Sequence, residues 1–226
     1  MADDQPRGSR LIDLVAVMDT LRQQCPWDAR QTHESLAPHL LEETYEAIDA
    51  LAAGDQAAFR DELGDVLLQV VFHARVAQER TDGTGYTIDD VADGIIAKLT
   101  RRHPHVFGDV AVSGPDEVKQ NWDAIKAAER AAVSDGPVSA LDGVPMTQPA
   151  LSLAAQLLRR AERAGAPADL ARLEGVPAVS DLGSQLFALV AQARLEGLDP
   201  ELELRAAARA YDALVRDWEA SRPDEP

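Results

Sequence analysis

Four acidic residues stand where their spacing could do chemistry. Glu43 and Glu46 lie three apart, Glu62 and Asp65 lie three apart, and Glu42 adjoins the first pair. Residues three apart share one face of a helix, so each pair presents two carboxylates together. Both segments of the stretch Leu40–Phe72 read as helix, and the break at Ala53-Gly54-Asp55 folds one back on the other. Four acids converging across such a hairpin call for a cation between them. The second pair also precedes VLLQVVF (66–72), apolar almost all round. Burying carboxylates there costs on the order of several kcal/mol each unless they are paired or bind metal. The alternative is a solvated helix face, the ordinary fate of a single such pair. Mg²⁺, which prefers hard oxygen ligands, suits one or two sites of this kind. The pairs lack the Glu-x-x-His pattern of di-iron bundles, which disfavours an oxidase-like bundle. Sparse cysteine, with no close His/Cys cluster, disfavours structural zinc.

A positive counterpart lies further on. Lys98, Arg101 and Arg102, followed by His103, form the densest basic cluster of the chain, at a predicted helix end closed by Pro104. Cations there can simply complement the helix dipole, or they can meet phosphate. Trp122 and Lys126, four apart, put an indole and an ammonium on one helical face. In the loop ahead of the second helix, Trp27 and Asp28 read as loop packing and a helix cap, and Gln31 and Thr32 offer base or ribose contacts. Cys25 and His73 read as core or surface residues.

The chain that must position these groups has 226 residues, 46% of them hydrophobic, enough for one large or two small domains. Its 39 acidic and 22 basic residues give a net charge of −17, which disfavours stable nucleic-acid binding. One cysteine excludes an intrachain disulfide and fits a reducing compartment. No apolar run reaches the ~18 residues of a membrane span and no signal peptide is evident, so a cytoplasmic location without membrane attachment is expected. Abundant alanine and arginine without alternating β-branched runs favour an all-α protein.

Residues 1–9 read as a disordered lead. Helices are predicted over Arg10–Gln23, Ser35–Ala53 and Gln56–Arg80. A fourth begins near Asp89 or Asp90, with Val91, Ile95, Ile96 and Leu99 inward, and ends at His103; a fifth covers Asp116–Ala132. Residues 105–115 read as loop. A linker rich in Gly, Pro and Ser spans 134–148. Helices over Pro149–Ala164, Val179–Leu195 and Pro200–Ala220 follow, with a loop between the first two. The segment SDLGSQLFALVAQAR (180–194) resembles DELGDVLLQVVFHAR (61–75), pairing Asp181 with Glu62, Gly183 with Gly64 and Ser184 with Asp65. This reads as a decayed internal repeat that keeps its packing pattern and loses its acids. The domain reading is therefore 10–133 catalytic, 134–148 linker and 149–222 degenerate and structural.

These motifs together resemble one family. Glu42-Glu43-x-x-Glu46 followed by Glu62-x-x-Asp65 is similar to the EExxE…ExxD signature of the MazG nucleoside triphosphate pyrophosphohydrolases. CPWDARQTHESL (25–36), KLTRRHPHVFGD (98–109) and NWDAIKAAER (121–130) add to the likeness. The resemblance is dense over about the first 130 residues and weaker beyond. It implies a helical bundle of the all-α NTP pyrophosphatase type with tandem layout, a homodimer, and Mg²⁺ dependence, with Mn²⁺ as substitute. It further implies hydrolysis of NTPs or dNTPs to monophosphate and pyrophosphate, a house-cleaning activity. Glu43, Glu46, Glu62 and Asp65 then hold metal and carry catalysis, with Glu42 a further possible ligand. Lys98, Arg101, Arg102, Trp122 and Lys126 then meet substrate. The competing expectation is a non-catalytic helical module that senses nucleotides or docks a partner.

Overall fold

The structure is a computed structural model and describes residues 6, 8–132, 139–173, 176 and 180–221, with the side chains of 130 and 131 outside that description. The expected lead at 1–5 and 7, the linker at 134–138, and positions 179 and 222 of the second half lie outside the described residues. Among the described residues every regular element is a helix, as the composition predicts. The chain divides into two compact units, Met1–Trp122 and Asp123–Pro226, described separately below.

In the first unit, α1 (Ser9–Gln24) stops where Cys25 turns extended ahead of Pro26. A single 3₁₀ turn, Asp28–Arg30, leads to α2 (His33–Ala53). Thr32 starts α2 with a reciprocal cap: its hydroxyl accepts from the Ser35 N–H, and the Ser35 hydroxyl accepts from the Thr32 N–H. The helix ends at Gly54, whose φ of 73° is left-handed and costs glycine least. The next residue, Asp55, caps α3 (Gln56–Ala77) by accepting from the Ala57 and Ala58 N–H groups. Two residues thus end one helix, start the next and set the hairpin. Thr87 and Asp90 form a second reciprocal cap at the start of α4 (Ile88–Arg102). A short α5 (Pro104–Phe107) lies in the stretch expected to be loop, with proline at its first position.

Met18, Leu36, Val71 and Phe72 form the buried core of this unit, with Leu14, Val15, Leu68, Val76 and Ile88 packed on it. The apolar faces differ in part from expectation. Leu41 and Leu51 of α2 are exposed, and so are Val91, Ile95, Ile96 and Leu99 of α4, which were expected inward. Along α3, Gln69, Val71, Phe72 and Ala74 are buried while Leu63, Leu67 and Val70 form an exposed stripe. The helix that reads as apolar all round therefore covers only one side within its unit.

Helix α6 (Pro115–Ala132) contains the division between the units. The second unit holds α7 (Ala150–Arg163), a 3₁₀ turn at Ala168–Arg172, α8 (Asp181–Leu195) and α9 (Pro200–Ala220). Ser180 caps α8 through the Gly183 N–H, and Asp199 caps α9 ahead of Pro200. Arg194 ties α8 to α7 by donating to the Ala155 carbonyl and the Glu162 carboxylate. Between them an apolar cavity of about 490 Å³ is lined by Leu157, Leu158, Leu170 and Phe187. Val190 is buried as Val71 is, and Leu182, Leu186 and Leu189 are exposed as Leu63, Leu67 and Val70 are.

Candidate metal centre

The hairpin brings the acids together. Glu43 from α2 and Glu62 and Asp65 from α3 each present one carboxylate oxygen within 4.8 Å of the others. Glu46 adjoins them, near enough to Glu62 for the protonated Glu62 carboxyl to donate to it. Antiparallel packing explains this, because each pair occupies one turn of its helix and the two-residue connection fixes the register. Among the described residues no other group of three His, Cys, Asp or Glu side chains approaches so closely. Glu42 turns instead to His39, whose Nδ1 lies 3.4 Å from its carboxylate.

The electrostatics of the cluster are those of like charges gathered without compensation. The Glu43 carboxyl is held above the ordinary glutamate range by partial burial, then by Asp65, Glu46, Glu42 and Glu62 in that order. Glu62 is raised likewise by partial burial, then by Glu46, Asp65 and Asp61, with the hydrogen bond that its protonated carboxyl donates to Glu46 adding to the shift. Oxygen-only donors from two rigid helices, crowded enough to resist ionisation, fit a hard divalent cation.

The expected substrate-side residues are arranged differently. Arg101 is exposed on the last turn of α4 and Lys98 is exposed just before it. Arg102 lies over the Trp122 ring, 5.7 Å from its centroid, and His103 meets the same indole edge-on at 4.7 Å. Trp122 thus has two side chains of its own chain against it. Trp122 closes the first unit, whereas Lys126 belongs to the second.

Other residues take structural parts that spacing does not reveal. Arg22 is buried, pairs with Glu79 through two nitrogens at 2.9 and 2.7 Å, and donates to the Asp28 and Gln31 carbonyls, the latter at 3.0 Å. Gln31 donates to the Trp27 carbonyl and accepts from the Ser35 hydroxyl, and Thr32 caps α2. Both residues suggested for base or ribose contacts therefore build the entry to α2. Trp27 is 53% exposed, its ring edge-on to His39 at 5.9 Å and to Phe72 at 6.4 Å. His33 and His73 stack across the hairpin, a pairing forty positions apart in sequence that no local pattern signals.

Fold and site together define an all-α protein with a cluster of carboxylates across a helical hairpin. Residues 31–107 match the MazG nucleotide pyrophosphohydrolase domain, a span holding every acid of the cluster and the basic end of α4. An Escherichia coli K12 nucleoside triphosphate pyrophosphohydrolase is 37% identical over 91% of this chain and 86% of its own length. A Streptomyces cacaoi protein, an uncharacterized 26.1 kDa protein in the blaB 3′ region, is 45% identical over 92% of this chain and 82% of its own. A Mycobacterium tuberculosis nucleoside triphosphate pyrophosphohydrolase is 48% identical over 75% of this chain, a match that covers 50% of that relative. The chain belongs to the MazG family of nucleoside triphosphate pyrophosphohydrolases.

Proposed function

We propose that this chain hydrolyses nucleoside triphosphates to monophosphate and pyrophosphate with Mg²⁺, serving as a nucleotide-pool house-cleaning enzyme of the cytoplasm. The three-oxygen cluster of Glu43, Glu62 and Asp65 carries the reading. A triphosphate bears about four negative charges and a chain of net charge −17 repels it, so a cation must mediate the encounter. Glu43, Glu62 and Asp65 would hold Mg²⁺ with Glu46 beside them. Bound there, the ion supplies Lewis-acid polarisation of phosphoryl oxygens and an acidified water. Glu46, outside the three-oxygen group but beside Glu62, is the carboxylate suited to take the proton of the attacking water. Lys98, Arg101 and Arg102 would neutralise the leaving pyrophosphate. Trp122 and Lys126 would bind the nucleotide only if Arg102 gives up its place over the indole.

The second half is a degenerate repeat with a structural role, supported by its matching pattern of buried and exposed positions and its missing acids. The uncovered stripe of α3 supports a homodimer. The decisive experiment incubates the chain with each NTP and dNTP and Mg²⁺ and separates the products. Monophosphate with pyrophosphate is expected; diphosphate with orthophosphate overturns the assigned bond cleavage. Activity in Glu43→Ala and Glu62→Ala equal to the unmodified chain would overturn the site.

A further inference from the structure

The α2–α3 hairpin is held differently at its two ends. Gly54 and Asp55 connect the helices at one end, and the acids lie between. At the open end, where α2 begins and α3 nears its end, His33 meets His73. The rings are parallel to within 2°, their centroids 5.2 Å apart, and the two Nδ1 atoms approach to 2.9 Å. Such a contact needs one N–H and one lone pair. It survives with both rings neutral or with one protonated, and fails when both facing nitrogens carry hydrogen.

We propose that the His33–His73 pair is a pH-sensitive clasp that closes the open end of this hairpin until both rings are protonated. The surroundings of His73 favour the neutral state. Its Nε2 is buried with no hydrogen-bond partner among the described residues, as is the Oε1 of Gln69 one turn before it on α3. Gln69 itself is 5% exposed. A fully protonated His73 would carry at Nε2 an N–H that no acceptor meets among the described residues. Burial, then the neighbouring His33, lowers the His73 pKa, in keeping with the geometry.

The charges around the pair leave the second proton uncompensated. On α2 the Glu34 carboxylate is held by its own backbone N–H and by Thr32, and it also feels His33 and Arg80. On α1, Arg22 is committed to Glu79 and Asp19 to Arg75, so α3's own charged neighbours are already paired. From α4 the packed residue is the apolar Ile88, and Asp90 is tied to Thr87. Among the described residues no carboxylate is thus reserved for His73, and a doubly protonated pair places like charges in contact.

The test uses the full chain in chelator without nucleotide, so its result is independent of whether the chain is a hydrolase. Urea denaturation of wild type and of the stack-preserving pair His33→Phe/His73→Phe is followed from pH 8 to pH 5. The wild type is expected to lose denaturation midpoint relative to the double variant below about pH 6.5, the ordinary histidine value. In parallel, nitrogen NMR of the wild type should show one of the two imidazoles neutral at pH 6 with a bonded Nδ1. Parallel midpoint curves, or two imidazoles titrating independently at ordinary values, would overturn the clasp. The NMR measurement decides the matter even where the double variant does not fold.

Discussion

Glu62 shows how crowding by like charges at a single residue can weaken a fold. Its carboxyl, like that of Glu43, has a folded-state pKa above the ordinary value, for reasons of partial burial and crowding by acids. In the unfolded chain both ionise near about pH 4.3. Between that value and the raised folded values the unfolded state holds fewer protons. Metal-free stability therefore falls as pH rises through this window and stays reduced at neutrality. Glu62→Gln should melt higher than wild type at pH 7 in chelator, since the amide removes a charge and can donate to Glu46. Mg²⁺ should raise the wild-type melting temperature and raise that of Glu62→Gln less. A variant less stable than wild type without metal would refute the crowded-acid account. Arg22 is the opposite case. Arg22→Ala leaves the Gln31 carbonyl without its Arg22 donor, the Asp28 carbonyl with the Gln31 N–H alone, and Glu79 with Arg75 alone. Because Glu79 is partly exposed, the expected loss is about 2 kcal/mol, below the figure for a fully buried pair, read as the urea midpoint at constant slope.

At the scale of elements, the hairpin was legible in the sequence because every local signal agreed. Gly54 followed by Asp55 can end one helix and begin another, and the acids fall at three-residue spacing on both sides. Helix α2 began two residues earlier than its apolar pattern suggested, since Thr32 caps it with Ser35 in place of the usual glutamate. The four-residue α5 is too short to show a period. The inward face of α4 was misread for a different reason: periodicity reports an apolar face and says nothing of what covers it. The His33–His73 contact and the Arg22 brace are tertiary and carry no spacing signature at all. The two ends of α2 can be weighed separately. Thr32→Ala should cost about 1 kcal/mol through the lost cap. Gly54→Ala should cost about 1 kcal/mol, because a Cβ there meets open space and only the left-handed backbone resists it. A 21-residue helix separates the sites, so the double variant should lose the sum in a urea titration. A double variant no worse than either single would show the two ends to be coupled.

At the scale of the whole molecule, the question is what covers α3. Leu63, Leu67 and Val70 are 48%, 36% and 39% exposed. Covering side chains already half hidden gains about 1 kcal/mol each, so a two-fold contact between these stripes alone yields about 6 kcal/mol. Association costs on the order of 4–15 kcal/mol, so the α3 stripe by itself is marginal. The exposed Val91, Ile95, Ile96 and Leu99 of α4, which packs beside α3, would add about 8 kcal/mol in the same symmetric contact. The proposed homodimer is therefore stable only if both helices take part, which makes it sensitive to one charge. Leu67→Asp sets two facing carboxylates in the apolar stripe and should give a monomer in sedimentation velocity at micromolar concentration. Its melting temperature should lose the concentration dependence expected of wild type. Ile96→Asp on α4 should act alike, whereas Ile12→Asp on the exposed face of α1 should leave the dimer intact. If the wild type sediments as a monomer, the uncovered stripe needs another occupant. If Leu67→Asp remains dimeric, the interface lies elsewhere and α3 is not its centre.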